Sequence, residues 1–284
     1  MNYQWYPGHM TKAVRQMQED VKLIDLIIEL IDARVPYSSK NPDIDVIGQN
    51  KSRILLMNKS DLADPTVNSA WKKHYGDKGY MVLDTDARNK MTLKGIMDLA
   101  REACREKIER DRRRGIKNRP IRAMVVGIPN VGKSTFINSF ASKACAKTGN
   151  KPGVTKGKQW IRLSKELELL DTPGILWPKF ENNTVGERLA MIGSINDDIL
   201  NKDELAMSLL KYLLDNYCAA VEDRYGIVYK DEEMPKVLEM IAVSRGYLQK
   251  GSEIDYSKAS NAIIDDFRSG KLGRITLDRI EEIQ

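Results

Sequence analysis

The sequence predicts an α/β protein: a mostly parallel sheet with flanking helices over residues 1–180, followed by an all-α part over residues 181–284. Three observations predict it. Short apolar runs alternate with polar, helix-like stretches, the pattern of strands joined by crossover helices. A glycine-rich loop stands between one such run and a helix, at 127–135. After about Glu181 the apolar period becomes helical throughout. The 284 residues suffice for one large or two ordinary domains.

The chain opens on "MNYQWYPGHM", which lacks the basic-then-apolar order of a signal peptide. Pro7-Gly8 is a turn pair, and Met10, Ala13, Met17 and Val21 then share one face of a helix. "LIDLIIELIDARVP" (23–36) reads as an interior strand, "RILLMN" as the next and "YMVLDT" (80–85) as the one after. His74, in the polar "WKKHYGDKG", reads as a solvated loop residue. A long basic helix is expected from about Leu93 to Arg114, and Ala123–Val126 is a buried-strand run.

Gly127-x-x-x-x-Gly132-Lys133-Ser134 follows that run and opens a helix, the strand–loop–helix context a phosphate-binding loop requires. The glycines let the loop, with Pro129 at its bend, turn the backbone N–H groups of Asn130, Val131, Gly132, Ser134 and Thr135 around phosphate oxygens, aided by the positive helix end. Lys133 should reach the β- and γ-phosphates and Ser134 should ligate Mg²⁺. In "ELELLDTPG" a strand delivers Asp171 as the Mg²⁺-linked carboxylate, and Gly174 can offer its N–H to a γ-phosphate. Thr155, in "KPGVTKGKQW" between the two, is the candidate switch threonine that closes over Mg²⁺.

Asn58-Lys59-Ser60-Asp61, after "RILLM", has the N-K-x-D form with which GTPases recognise guanine. The aspartate accepts from the N1 and N2 hydrogens that adenine lacks, and the lysine stem packs along the nucleotide. A site built on such a bond rejects the base that leaves it unpaired. Here the base-reading element precedes the phosphate loop. Binding loops of a parallel sheet gather at the carboxyl ends of its strands, so a circular permutation changes their order in sequence and not their meeting in space.

Taken together, "WYPGHMTKA", "DARVPYSSKNP", "MNKSDL", "GIPNVGKST", "PGVTKGKQW" and "DTPGILWPKF" resemble the circularly permuted GTPases of the ribosome biogenesis GTPase A family, over roughly residues 5–180. The resemblance implies a circularly permuted P-loop GTPase domain and a GTP hydrolase. It also implies docking on the precursor of the large (50S) ribosomal subunit and its rRNA in the GTP state, in late assembly. A second base-contacting loop should follow the strand at 80–85; its usual Ser-Ala signature is absent, leaving Thr85, Asp86 and Ala87 by position. The residues after Gly174 are Ile175 and Leu176, which cannot orient water, so hydrolysis should be slow alone or use another group. The P-G-H-M segment makes His9 the catalytic candidate. The G-x-P-N-x-G-K-S form resembles the potassium-activated GTPases, in which Asn130 would help hold K⁺ against the phosphates.

"REKIERDRRRGIKNRPIR" carries Arg110, Arg112, Arg113, Arg114, Lys117, Arg119 and Arg122, either a solvated face or an RNA-backbone contact. Beyond 181, apolar stripes at Leu205, Leu209 and Leu213, at Val237 and Ile241, and at Ala259, Ile263 and Phe267 predict a small helical bundle. The resemblance implies that it binds ribosomal RNA; Lys250, Lys258, Arg268, Lys271 and Arg274 could serve, although solubility explains them equally well.

The net charge of +6 suits a polyanionic partner, while 42% hydrophobic residues support a real core. Three scattered cysteines without metal spacing point to a reducing compartment, hence the cytoplasm, and no apolar run reaches the roughly 20 residues of a membrane helix. The expected cofactors are Mg²⁺ and K⁺. The expected partners are GTP and GDP and the ribosomal precursor, with no membrane, and the expected state is a monomer. A non-catalytic GTP-dependent RNA-binding scaffold is the alternative. A small-molecule kinase is disfavoured by the guanine-reading tetrad.

Overall fold

The computed structural model describes residues 8–116, 119–141, 159–178, 180, 182–251 and 253–283, with the side chains of Gly8, His9, Gln159 and Ile283 outside that description. In chain order the elements are α1 (Gly8–Asp20), β1 (Leu26–Asp32), α2 (Pro42–Ile47), β2 (Ser52–Asn58), α3 (Pro65–Asp77), β3 (Met81–Thr85), α4 (Ile96–Ala103), α5 (Arg105–Arg113), β4 (Ile121–Gly127) and α6 (Lys133–Ala141). They continue with β5 (Gln159–Arg162), β6 (Leu167–Asp171), α7 (Asn183–Met191), α8 (Lys202–Tyr225), α9 (Met234–Arg245) and α10 (Tyr256–Arg268).

The strands form one sheet in the order β3-β2-β1-β4-β6-β5, parallel except for the antiparallel β5–β6 pair. β1 is flanked by β2 and β4, with Leu26 opposite both Ser52 and Ala123. Both faces are covered, as a parallel sheet requires. Leu26, Ile28 and Leu30 join α4, α6 and the C-terminal helices in one core, whereas Ile27, Met124 and Val126 pack with Met17 of α1 on the other face. The carboxyl ends of β2, β1, β4 and β6 therefore stand side by side. Among the described residues no helix is long and apolar enough to cross a membrane.

Two local expectations are corrected and one helix is extended. The basic stretch 93–114 is not one helix: α4 ends at Ala103, whose carbonyl accepts the Ser52 hydroxyl at 2.5 Å, and buried Cys104 (φ −103°, ψ 11°) turns the chain into α5. His74 lies within α3, its ring 5.3 Å from Trp71 and 5.5 Å from Tyr75, because a helical period places it over the aromatic face and not in a loop. The helix carried by the Leu205, Leu209 and Leu213 stripe extends beyond it to Tyr225, through a kink at Tyr217 (φ −141°, ψ 39°), whose hydroxyl contacts Asp64 and Thr276. Gly246 ends α9 in the left-handed region (φ 63°).

After α10 the chain returns to the sheet. Ile275 N–H donates to the Leu62 carbonyl at 3.0 Å and Leu277 N–H to the Arg34 carbonyl at 2.7 Å. Buried Asp278 accepts from Ser38 N–H (2.7 Å), Ser38 Oγ (2.8 Å) and Arg188 (2.9 Å).

Candidate nucleotide site

The 127–135 loop leaves the end of β4 and enters α6 at Lys133. Two glycines in it have no substitute. Gly127 (φ 146°) sits where a Cβ would stand 2.4 Å from the Leu30 carbonyl oxygen, and Gly132 (φ 104°) where it would stand 2.5 Å from Asn58 Nδ2. Lys133 is buried and its ammonium donates to the carbonyls of Gly127 (3.1 Å) and Ile128 (2.8 Å). Burial pulls its pKa down to about 8, opposed by the charge of Asp171.

Asp171 closes β6, directly across from Val125 of β4. Burial pushes its carboxyl up to about 6 against the pull of Lys133. Its Oδ1 is buried and makes no hydrogen bond among the described residues. An orphaned buried carboxylate oxygen beside a phosphate-loop lysine is costly unless a cation or donor arrives. With Ser134 in the first turn of α6, the oxygen donors suit Mg²⁺, a hard cation. Gly174 packs on the loop: a Cβ there would lie 2.7 Å from Pro129 Cα and 2.9 Å from Lys133 Nζ. Ile175 and Leu176 are core residues.

The guanine tetrad touches the phosphate loop directly. Asn58, at the end of β2, donates through Nδ2 to the Val131 carbonyl at 2.7 Å. Its Oδ1 accepts from Ala87 N–H (2.9 Å) and Thr85 Oγ1 (3.3 Å), so one amide staples three loops together. Lys59, in the left-handed region (φ 59°), donates to Asn130 O at 2.9 Å and to Asp32 Oδ2 at 2.8 Å. Ser60 Oγ donates to the Thr85 carbonyl at 3.0 Å. Asp61 holds Arg88 through Oδ2 at 2.6 Å, while its Oδ1 is buried and makes no hydrogen bond among the described residues. Asp86 accepts from Arg88 and Thr92 Oγ1 receives the Asp86 N–H.

The structure thus brings together Asn58, Lys59, Ser60, Thr85, Asp86 and Ala87 with Pro129, Asn130, Val131, Gly132, Lys133 and Ser134 of the phosphate loop, with Asp61 beside them. Thr135 follows in α6, and Asp171 and Gly174 flank Lys133. Thr155 and Lys117 lie outside the described residues, as does the His9 side chain; the His9 backbone belongs to the first turn of α1. Asn130 (φ 58°) donates through Nδ2 to the Gly193 carbonyl at 2.7 Å.

Several residues of the site were not assigned from the sequence. Buried Asp32 ends β1 and receives Lys59 together with both Arg34 Nε (2.9 Å) and Arg34 Nη2 (2.8 Å). Burial pushes its carboxyl up, but the Arg34 and Lys59 charges and hydrogen bonds overcome this and hold it well below the usual carboxylate range. A carboxylate closing a largely apolar strand was the available signal. Gly193 and Ser194 also reach the phosphate loop, with Arg268 behind them on the same turn, and nothing local in the sequence marks them. Arg268, considered above as an RNA contact, is committed instead: its guanidinium grips Asp197 with both nitrogens at 2.8 Å and the carbonyls of Ala190 and Met191. Of the basic run, Arg110, Arg112, Arg113 and Arg114 are exposed on and after the last turn of α5. Arg119 faces Asp25 and Asp111, and Arg122 pairs with Glu168 at 3.4 Å.

Comparison with known proteins agrees with this geometry. A family profile described as "50S ribosome-binding GTPase" matches residues 122–241. "Ribosome biogenesis GTPase A" of Priestia megaterium is 47% identical over 285 residues, covering 100% of this chain and 99% of that protein. The protein of the same name from Bacillus licheniformis is 47% identical, covering 100% of both. The solved structure "GNP-bound YlqF from T. maritima" matches with TM-score 0.65 at 25% identity, covering 94% of this chain and 98% of that one. With its base-reading strands ahead of its phosphate loop, this chain belongs to the ribosome biogenesis GTPase A family of circularly permuted GTPases.

Proposed function

We propose that the chain hydrolyses GTP as an assembly factor in late maturation of the large ribosomal subunit, binding the precursor particle and its rRNA in the GTP state and leaving after hydrolysis. GTP hydrolysis and a role in ribosome biogenesis follow from family membership. The observation that carries the site is the contact between the guanine tetrad and the phosphate loop, Asn58 Nδ2 to Val131 O at 2.7 Å. A single nucleotide spans both motifs, its base at Asp61 and its phosphates at the start of α6.

In this reading the buried Oδ1 of Asp61 accepts the guanine N1 and N2 hydrogens, Thr85–Ala87 face the base carbonyl, and Lys133 meets the β- and γ-phosphates. Ser134, Asp171 and Thr155 hold Mg²⁺, which when bound neutralises charge developing on the phosphate oxygens. Asn130 contributes to a K⁺ site; the nitrogen end of its amide is taken by Gly193, which fixes the way the group points. Because Ile175 and Leu176 are buried aliphatics, the attacking water must be oriented by another group, and His9 on the first turn of α1 is the candidate. Turnover is then slow alone and faster on the particle. The exposed arginines of α5 offer an RNA-backbone contact. Such a factor works as a monomer in the cytoplasm.

Phosphate release with and without large-subunit precursor particles tests this. The reading expects the particles to accelerate release and to co-sediment with the protein in a GTP analogue and not in GDP. The same aliphatic pair after Gly174 favours a second reading, a GTP-dependent RNA-binding scaffold. Release at the same background rate with and without particles selects it.

A further inference from the structure

Arg268 is the last residue of α10 and lies far in sequence from every nucleotide-binding motif, yet its partners lead straight to the phosphate loop. Its side chain closes the turn that follows α7: Nε donates to the Met191 carbonyl at 2.9 Å and Nη2 to the Ala190 carbonyl at 2.7 Å, while Asp197 accepts from Nη1 and Nη2, each at 2.8 Å. Gly193 sits in the middle of this turn in the left-handed region (φ 79°), and a Cβ on it would stand 3.3 Å from the guanidinium carbon. The same turn makes two contacts with the phosphate loop. The Gly193 carbonyl accepts from Asn130 Nδ2 at 2.7 Å, and buried Ser194 donates through Oγ to the Pro129 carbonyl at 2.9 Å.

A second route closes the circle. The Arg268 carbonyl accepts from Arg34 Nη1 at 3.3 Å, Arg34 is clamped to Asp32, Asp32 receives Lys59, and Lys59 donates to the Asn130 carbonyl at 2.9 Å. Asn130 is thus held from both sides, at its side chain through the α7 turn and at its backbone through β1 and the guanine tetrad. Asn130 is itself in a left-handed conformation (φ 58°), which asparagine tolerates better than most non-glycine residues and which these contacts hold in place. That conformation sets where the loop's N–H groups point, and hence how well they meet phosphate.

We infer that Arg268 is a positioning residue for nucleotide binding: by fixing the turn at 191–194 it holds Pro129 and Asn130 in their phosphate-binding shape and couples the last helix of the chain to guanine nucleotide affinity. Coupling of this kind is reciprocal, so a bound nucleotide also steadies the end of α10. The inference rests on the nucleotide reading of the site but not on the ribosomal role.

The test is titration of a fluorescent GDP and a fluorescent non-hydrolysable GTP analogue into wild type, Arg268→Gln, Asp197→Asn and Arg224→Gln, with melting temperatures measured alongside. Arg224 is the control, because it anchors the same helix through Asp266 at 2.8 Å and reaches no nucleotide loop. Arg268→Gln is expected to weaken both nucleotides between roughly 5- and 150-fold, the usual span of a coupling between sites. Asp197→Asn, which leaves the guanidinium in place without its surface anchor, should weaken them less. Arg224→Gln should lower the melting temperature and leave both affinities within about twofold of wild type, as expected of a site outside the coupled set. GDP should also raise the melting temperature of Arg268→Gln by less than that of wild type. Unchanged affinities in Arg268→Gln, at whatever cost in melting temperature, overturn the inference; if that variant does not fold, unchanged affinities in Asp197→Asn overturn it. A wild type that binds neither nucleotide contradicts the site itself, a different failure.

Discussion

Asp32 shows how a single side chain holds two binding loops. Its carboxylate is fully buried, and Arg34 and Lys59 both converge on it. Because its folded pKa is depressed, the stability it contributes is present above the unfolded carboxylate value of about 3.9 and is lost as pH falls below it toward the folded value. Asp32→Asn should cost about 3–5 kcal/mol at neutral pH by leaving two cations unpaired. Denaturant titrations of both proteins at pH 7 and pH 3 should show the gap between them narrowing in acid; an equal gap at both pH values contradicts the assignment. Gly174 makes the opposite point, since its function is to be small. Gly174→Ala places a methyl 2.7 Å from Pro129 and 2.9 Å from the Lys133 ammonium. It should slow GTP turnover at least roughly tenfold, a barrier increase of about 1.4 kcal/mol, and weaken GDP as well, because the displaced Pro129 and Lys133 belong to the phosphate loop. Turnover at the wild-type rate would show that the loop opens freely.

At the scale of elements, strands and their loops were legible and the ties between distant segments were not. The strands at 26–32, 52–58 and 121–127 stand where apolar runs predict them, because burial on both sheet faces leaves little choice of residue. The phosphate loop and the guanine tetrad were legible for the same reason: their chemistry needs glycine, lysine and aspartate at fixed spacing. Arg268 and Asp278 were not, since the Arg268 guanidinium acts on residues 71 to 78 positions away and Asp278 on Ser38, 240 positions away, and a single arginine or aspartate carries no periodic signal. The break at Cys104 escaped a reading that saw only continuous helix-forming residues, because a hydroxyl on β2 makes it. The segment after α10 is held as firmly as a strand. Asp278→Ala should cost about 3–5 kcal/mol, because it leaves Arg188 Nη1 and both Ser38 donors without the buried carboxylate, Glu282 holding only the other end of the guanidinium. Equilibrium unfolding checks this, and a loss below about 1 kcal/mol, the worth of a surface pair, would contradict the burial argument.

At the scale of the whole molecule, the order of motifs along the chain and their arrangement in space are independent. The sheet order β3-β2-β1-β4-β6-β5 sets Asn58–Asp61 on one side of β4 and Asp171 on the other. In the proposed reading, one nucleotide laid across the strand ends meets both. The central claim is that these rotated motifs form one guanine-selective pocket. Its most direct test is competition of GTP and ATP against a fluorescent guanine nucleotide, in wild type and in Asp61→Ala. Wild type should prefer GTP by at least roughly a thousandfold, as a site built around a base hydrogen bond does. Asp61→Ala should lose most of that preference while ATP affinity stays the same. ATP competing equally with GTP in wild type, or full selectivity surviving in Asp61→Ala, would contradict it.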